Sequence, residues 1–486
     1  MALDESGGMA PAFTVIASYS IMIDEGLSRL FLRIFGGEGS FSVFSVSGGF
    51  ALDITVYLLL AALAVLSLAL LKLSGALKTP KHVLAAGALI VLAFALRGAA
   101  MDYETLDYQD FLAAWVDYFR QNGGFAALRE SIGNYNVPYL VYLAAISTSA
   151  LKDLYLIKIF SIFFDVVLAW GVMRITAHFT KSAWRQIGAF CAVLLWPTVI
   201  LNGALWGQCD SIYVAFAVLS IAMALEDRPW LSVAAMGASF AFKLQAVFFI
   251  PALLLFLLRG KIKWQHLLAF PVVNVVLVLP AVLHGRGLWD ALTVGLNQTG
   301  SIGDGLNYNS PSVFSFFRNV INPEEAASFG IIAAALVIAM VAVVFLWKRR
   351  TASDLALLMG TTLLAIAIPF FLPHMHDRYF FGADMFTLAL GCSALPLLGL
   401  ALLSEFASGL GYHAYLKMRY LLLMHWGAWA LIIAMGVLIF ALTKELGKKP
   451  EPPKKQNRKP AQTKKAPAKK TSPKAKNNSK PKTKKA

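Results

Sequence analysis

Four carboxylates, Asp102, Glu104, Asp107 and Asp110, fall within nine residues of one another, directly after an apolar run that ends near Ala100. A carboxylate held beside an alcohol can take its proton, which is general-base chemistry. Asp107 and Asp110 are three residues apart and would share one face of a helix. Phe111 and Trp115 follow at helical spacing and would seat that helix in a membrane interface. Gly123 and Gly124 break it, and a short apolar segment at 138–150 reads as juxtamembrane or re-entrant. The bland alternative is a solvated acidic loop.

Three further polar groups interrupt apolar sequence. In LNGALWGQCDSIYVAF (201–216), Gln208 and Asp210 would either cap the following helix or bind a sugar hydroxyl. Lys243 lies in the middle of an apolar stretch, where a cation costs about 2.5–3.5 kcal/mol. Two short helices meeting at Lys243 and Gln245 would lower that cost and aim the ammonium toward Asp107. Its alternative role is pairing with a buried acid such as Asp165, which Lys158 on the same helix could also serve. In FLPHMHDRYFFGAD (371–384), His374, His376, Asp377, Arg378 and Tyr379 crowd together just after an apolar run. Two histidines at i, i+2 do not share a helix face and HExxH is absent, so a metal reading is weak. A guanidinium with imidazoles suits a phosphate, and an Asp377–Arg378 ion pair is the structural alternative. Cys191, Cys209 and Cys392 are far apart and give neither a disulfide framework nor a zinc site.

The elements that must hold these groups are membrane helices. The chain is 58% hydrophobic and 14% charged, far from the roughly 25% charge of a soluble domain. Thirteen apolar segments read as spans, near 52–72, 82–100, 154–177, 187–206, 211–225, 230–243, 245–258, 265–284, 328–347, 354–372, 380–396, 397–412 and 419–442. Several are shorter than the roughly 20 residues of a straight span, which a bundle tolerates where neighbours shield the ends. The net charge of +16 belongs to one place: from Lys444 onward there are 17 Lys/Arg and two Glu, leaving 26 against 25 elsewhere. That Lys/Pro-rich segment, 444–486, reads as a disordered tail on the cytoplasmic side that touches anionic lipid rather than nucleic acid. Basic clusters at 72–81, 174–185, 259–263 and 348–350 all fall on the tail's side, which sets the orientation. The acidic loop 101–153 and segments 207–210, 285–327 and 373–379 then face the opposite, extracytoplasmic side. Residues 1–50 read as an interfacial or partly embedded segment, and 51–443 as one membrane domain. The stretch 299–317, rich in Gly, Asn, Ser and aromatics, reads as a mobile lid over the donor or acceptor, with a plain surface loop as the alternative.

In this order, LDYQDFLAAWVDYF, GNYNVPYLVYL, WGQCDSIYVAF, FKLQAVFFIP, LNYNSPSVFSFF and PHMHDRYFF resemble membrane glycosyltransferases of the GT-C superfold, and among these the bacterial relatives of GPI mannosyltransferase II. The resemblance covers about residues 95–400. It implies an all-α polytopic bundle of about 11–13 transmembrane helices with a long extracytoplasmic first catalytic loop, in a bacterial plasma membrane. It implies an inverting transfer of a hexose, mannose in most of the family, from a polyprenyl-phosphate-linked donor to a lipid, glycan or protein hydroxyl. It places the loop acid at Asp107, with Asp110 or Glu104 as substitutes for a second acid. The family's DxD-like pair has Thr105 at its first position here, so a divalent cation is possible but not favoured and no cofactor is certain. Arg378, His376, His374 and Lys243 are implied as donor phosphate ligands. Gln208, Asp210, Tyr108, Asn134, Tyr135 and Asn309 are implied as substrate contacts.

The rival from another class is a secondary transporter or lipid-linked sugar flippase, which also carries intramembrane Lys and Asp beside a cavity. No repeat between halves supports it. A scaffold acting through its basic tail leaves the clustered polar residues unexplained.

Overall fold

The computed structural model describes residues 53–297, 305–317 and 320–448. The expectations for residues 1–50, for the start of the lid and for most of the tail lie outside these. Each of the thirteen apolar segments is helical. In chain order the helices are α1 (Ile54–Leu73), α2 (Pro80–Ala100), α3 (Ala113–Gln121), α4 (Val137–Ile146), α5 (Asp153–Phe179), α6 (Ala183–Leu195), α7 (Pro197–Trp206), α8 (Asp210–Leu225), α9 (Pro229–Phe242), α10 (Leu244–Arg259), α11 (Trp264–Leu283), α12 (Leu288–Asn297), α13 (Pro323–Trp347), α14 (Asp354–Phe371), α15 (Phe381–Ser393), α16 (Leu395–Leu416) and α17 (His425–Leu446). The result is a polytopic membrane bundle. Eight of these helices are long and apolar enough to cross a membrane, nine if the bent pair α6–α7 is one span. The expected 11–13 spans are reached only by counting α8, α9, α10 and α15, which are too short to cross straight. Such helices need protein around their ends, and α8 is almost wholly buried between α5 and α9.

The α6–α7 bend of 47° has a local cause. Pro197 has no N–H to donate and its ring clashes with a preceding carbonyl. Beyond it, residues Ile200–Trp206 wind as π-helix and stop at Gly207, whose φ of +79° only glycine adopts without strain. Lys158 resolves differently from its expected pairing with Asp165. Its ammonium donates to the carbonyls of Ala100 (2.8 Å), Met101 (3.1 Å) and Tyr103 (2.6 Å), where a cation belongs at a helix C-terminus. Asp165 instead accepts from Arg97, 2.9 Å to Nη2 and 3.1 Å to Nε.

The basic clusters meet at one end of the bundle. Arg174 bonds Glu226, His178 and Lys261 both reach Asp354, Arg259 caps Ala352, and Arg185 caps Cys392 and Ser393. The acidic loop and the 373–379 segment lie at the other ends of these helices. There a parallel two-residue ladder joins β1 (Asn307–Tyr308) to β2 (Met375–His376), with Asn307 opposite Met375 and Tyr308 opposite His376. The described part of the expected lid is therefore tied down by backbone bonds.

Candidate active site

A cleft of about 400 Å³ opens at the end opposite the basic clusters. Asp107, Asn134, Tyr135, Gln208, Asn309, His376 and Arg378 all line it, with Asp377, Tyr308, Tyr415, Phe111 and Trp115. Six separate stretches of sequence supply these side chains.

Asp107 is half-buried at the start of the loop helix. Trp206 Nε1 donates to its Oδ2 at 2.9 Å and Gln208 Nε2 donates to the same oxygen at 2.6 Å. Both of these bonds fall on Oδ2, and the Tyr415 hydroxyl lies against the same carboxylate. Gln208 is fixed in turn by the Tyr135 hydroxyl, which donates to Oε1 at 3.2 Å. Thr105, at the position where the resemblance expects an acid, donates instead to the Trp206 carbonyl at 3.1 Å and ties the loop to α7.

The cationic side is Arg378. Its guanidinium lies 5.1 Å over the Trp206 ring, a cation–π contact, so one indole touches both the carboxylate and the cation. Behind it sits Asp210, fully buried, with Arg378 Nε at 3.5 Å from Oδ2. Lys243 donates to Asp210 Oδ1, and Asn202 donates to Oδ2 at 2.8 Å. Asp210 is thus neither a helix cap nor a cleft residue. It is the anion that holds two cations together under the cleft floor. Lys243 is behind that floor as well, reaching the cleft only through Asp210 and the Tyr135 ring, 5.9 Å away.

His376 stacks on Tyr308 at 4.7 Å. Burial, then the charges of Arg378 and Lys243, push its imidazole down to about 4, so it is neutral at pH 7. Asp377 lies 3.5 Å from Arg378 Nη1. Burial pushes its carboxyl up to about 7 in spite of that neighbour.

The other implied residues sit elsewhere. Glu104 is exposed and pairs with Lys152 at 2.5 Å. Asp110 is exposed and does not line the cleft, although it is three residues from Asp107. The residues between form a π-helical turn, Tyr108–Leu112, whose wider winding shifts the phase that an α-helix would give. Phe111 and Trp115 line the cleft. Tyr108 is buried and outside the cleft lining. His374 bonds the Gly305 carbonyl at 2.8 Å and secures the ladder. Trp206 and Tyr415, stacked at 4.0 Å, are site residues that sequence reasoning did not single out. An aromatic within an apolar helix offers no contrast to notice. Among the described residues, no group of three or more His, Cys, Asp or Glu is placed to hold a metal ion.

No curated protein is significantly similar to the chain. Residues 135–373 match the model of glycosyltransferase family 87. The matched segment carries Tyr135, Gln208, Asp210, Lys243 and Asn309, and Asp107 and Arg378 flank it on either side. The match favours an enzyme over a transporter, flippase or scaffold. Together with its bundle of long apolar helices, this similarity to family 87 over residues 135–373 supports a membrane glycosyltransferase of the GT-C superfamily.

Proposed function

We propose that the enzyme transfers a hexose, mannose by its resemblance to the mannosyltransferases, from a polyprenyl-phosphate donor to an acceptor hydroxyl. The observation that carries this reading is that Asp107 and Arg378 face one cleft and touch the same indole. Asp107 takes the acceptor proton as the acceptor oxygen bonds to the anomeric carbon. The bond from that carbon to the phosphate oxygen breaks, and its electron pair leaves with the lipid phosphate toward Arg378. The displacement is in-line, so the anomeric configuration inverts. A phosphate monoester has a second pKa of about 6, so the departing group needs a cation more than an acid, and a glycosidase-like second carboxyl is unnecessary. Asp107 serves alone in this reading, with Glu104 and Asp110 turned elsewhere.

Two features support a lipid-borne donor. A second cavity, about 700 Å³, runs between α13, α14 and α17 with walls made almost wholly of aliphatic and Phe side chains. It reaches Val313, four residues from cleft-lining Asn309, and fits a hydrocarbon chain. The cleft also lies opposite the basic ends, which supports a reaction on the extracytoplasmic side by the positive-inside rule.

The test is release of lipid phosphate by purified protein from a panel of radiolabelled polyprenyl-phosphate hexoses. Asp107→Asn abolishes release while the protein purifies normally, and Arg378→Ala raises the donor KM. Near-normal turnover in Asp107→Asn rejects the base assignment.

A further inference from the structure

Two carboxylic side chains inside the bundle have no part in the chemistry above. Asp384 on α15 and Glu405 on α16 are fully buried, and among the described residues neither has a cation within ion-pair distance. Both reach Thr198, the second residue of α7. Thr198 Oγ1 is 2.8 Å from Glu405 Oε2 and 3.1 Å from Asp384 Oδ2, and the Thr198 backbone N–H donates to Glu405 Oε1 at 3.1 Å. Ser404 donates to the other Asp384 oxygen at 2.7 Å. A hydroxyl has one hydrogen to give. That hydrogen cannot serve both carboxyl contacts at Thr198 Oγ1 at full strength, and a proton on one of the carboxyls would complete the second. Two ionised carboxylates sharing a dry site would also repel.

The place of this pair in the fold gives it a use. The break before Pro197 leaves the carbonyls of α6 and the N–H groups of α7 without helical partners. Arg97 Nη1 takes the Leu194 carbonyl at 2.6 Å on one side of the break, and Glu405 takes the Thr198 N–H on the other. Each half-helix end thus meets the group its dipole favours, a cation at the C-terminus and a carboxyl at the N-terminus. The short helix fixed in this way carries Asn202, which holds Asp210, and Trp206, which holds Asp107.

We propose that Glu405 and Asp384 are positioning residues for the transfer: a proton shared at Thr198 fixes the start of α7, and α7 delivers the Trp206 indole to Asp107. The proposal rests on Asp107 being the base. A misplacement of about 1 Å at a reacting group can cost roughly a hundredfold in rate, so loosening α7 lowers kcat.

The experiment measures kcat and donor KM for the full chain in lipid nanodiscs with radiolabelled polyprenyl-phosphate mannose. Thr198→Val and Glu405→Ala lower kcat roughly tenfold or more. Glu405→Gln, whose amide copies the protonated acid, restores kcat to within about twofold of the parent. Parent-like kcat in Thr198→Val overturns the proposal, as does a Glu405→Gln loss equal to that of Glu405→Ala. A cryo-EM structure of Thr198→Val gives a readout independent of turnover: Trp206 Nε1 still within hydrogen-bond reach of Asp107 also overturns it. Asp107→Asn runs alongside. If that variant turns over normally, the base reading fails. If it is inactive while Thr198→Val is unaffected, only the anchor fails.

Discussion

The Trp206 indole N–H donates to Asp107 Oδ2 at 2.9 Å across 99 residues of sequence. Trp206→Phe keeps a ring for Arg378 and Tyr415 but removes the donor. A hydrogen bond to a charged group contributes about 1.5–3 kcal/mol, and each 1.36 kcal/mol is about tenfold in rate. We expect kcat to fall roughly ten- to a hundredfold with the donor KM little changed. Initial rates of lipid-phosphate release check this, and an unchanged kcat would show that Gln208 and Tyr415 orient the carboxylate without the indole.

Asp377 makes donor binding sensitive to pH. Its carboxyl is pushed up to about 7, so it is largely neutral below that pH and ionised above it. Ionisation adds a negative charge beside Arg378, while the donor phosphodiester keeps one negative charge throughout and His376 stays neutral. The donor KM therefore rises as pH increases through about 7. Asp377→Asn flattens the profile. A parent-like rise in that variant assigns the titration to another group.

Lys243 and Asp210 form a buried pair. Removing one member of such a pair costs about 3–5 kcal/mol, because the other is left uncompensated. Lys243→Met falls toward the lower end, since Arg378 and Asn202 still face Asp210. Adding Asp210→Asn recovers most of the loss. Thermal melting of the purified variants in detergent measures both. A double variant no more stable than the single one would show that the pair is not the source.

Gly411 lets α16 approach the site's backbone. A Cβ there would come within 2.4 Å of the Asp377 carbonyl oxygen and 3.0 Å of the Asn309 carbonyl oxygen. Gly411→Val displaces both segments and lowers kcat/KM by more than tenfold, while overpacking also costs about 1–3 kcal/mol of stability. Comparing kcat/KM with the melting temperature separates the two effects.

The helices were legible because apolar runs broken by charge are what a bilayer demands, and every one of the thirteen segments is helical. Lys243 and Arg378 were legible for the same reason, as costly charges in greasy surroundings. Partners were not. In sequence Asp165 was offered Lys243 and Lys158, and only the packing of α2 against α5 and α6 reveals Arg97 as its partner. The π-helical turn at Tyr108–Leu112 separates Asp107 from Asp110, and no residue type in that turn announces it. Trp206 was hidden by its own hydrophobicity. His374 and His376 look alike in sequence, yet the left-handed backbone at His374, φ +59°, sends one imidazole to the ladder and the other to the cleft.

The hydrocarbon-walled groove between α13, α14 and α17 has a kinetic corollary. A molecule that fills it arrives sideways from the surrounding lipid, in two dimensions. Its occupancy then follows mole fraction in the bilayer rather than moles per litre of buffer. Adding water to a vesicle suspension leaves such a ligand as abundant as before at the groove's mouth, whereas adding more inert lipid thins it out.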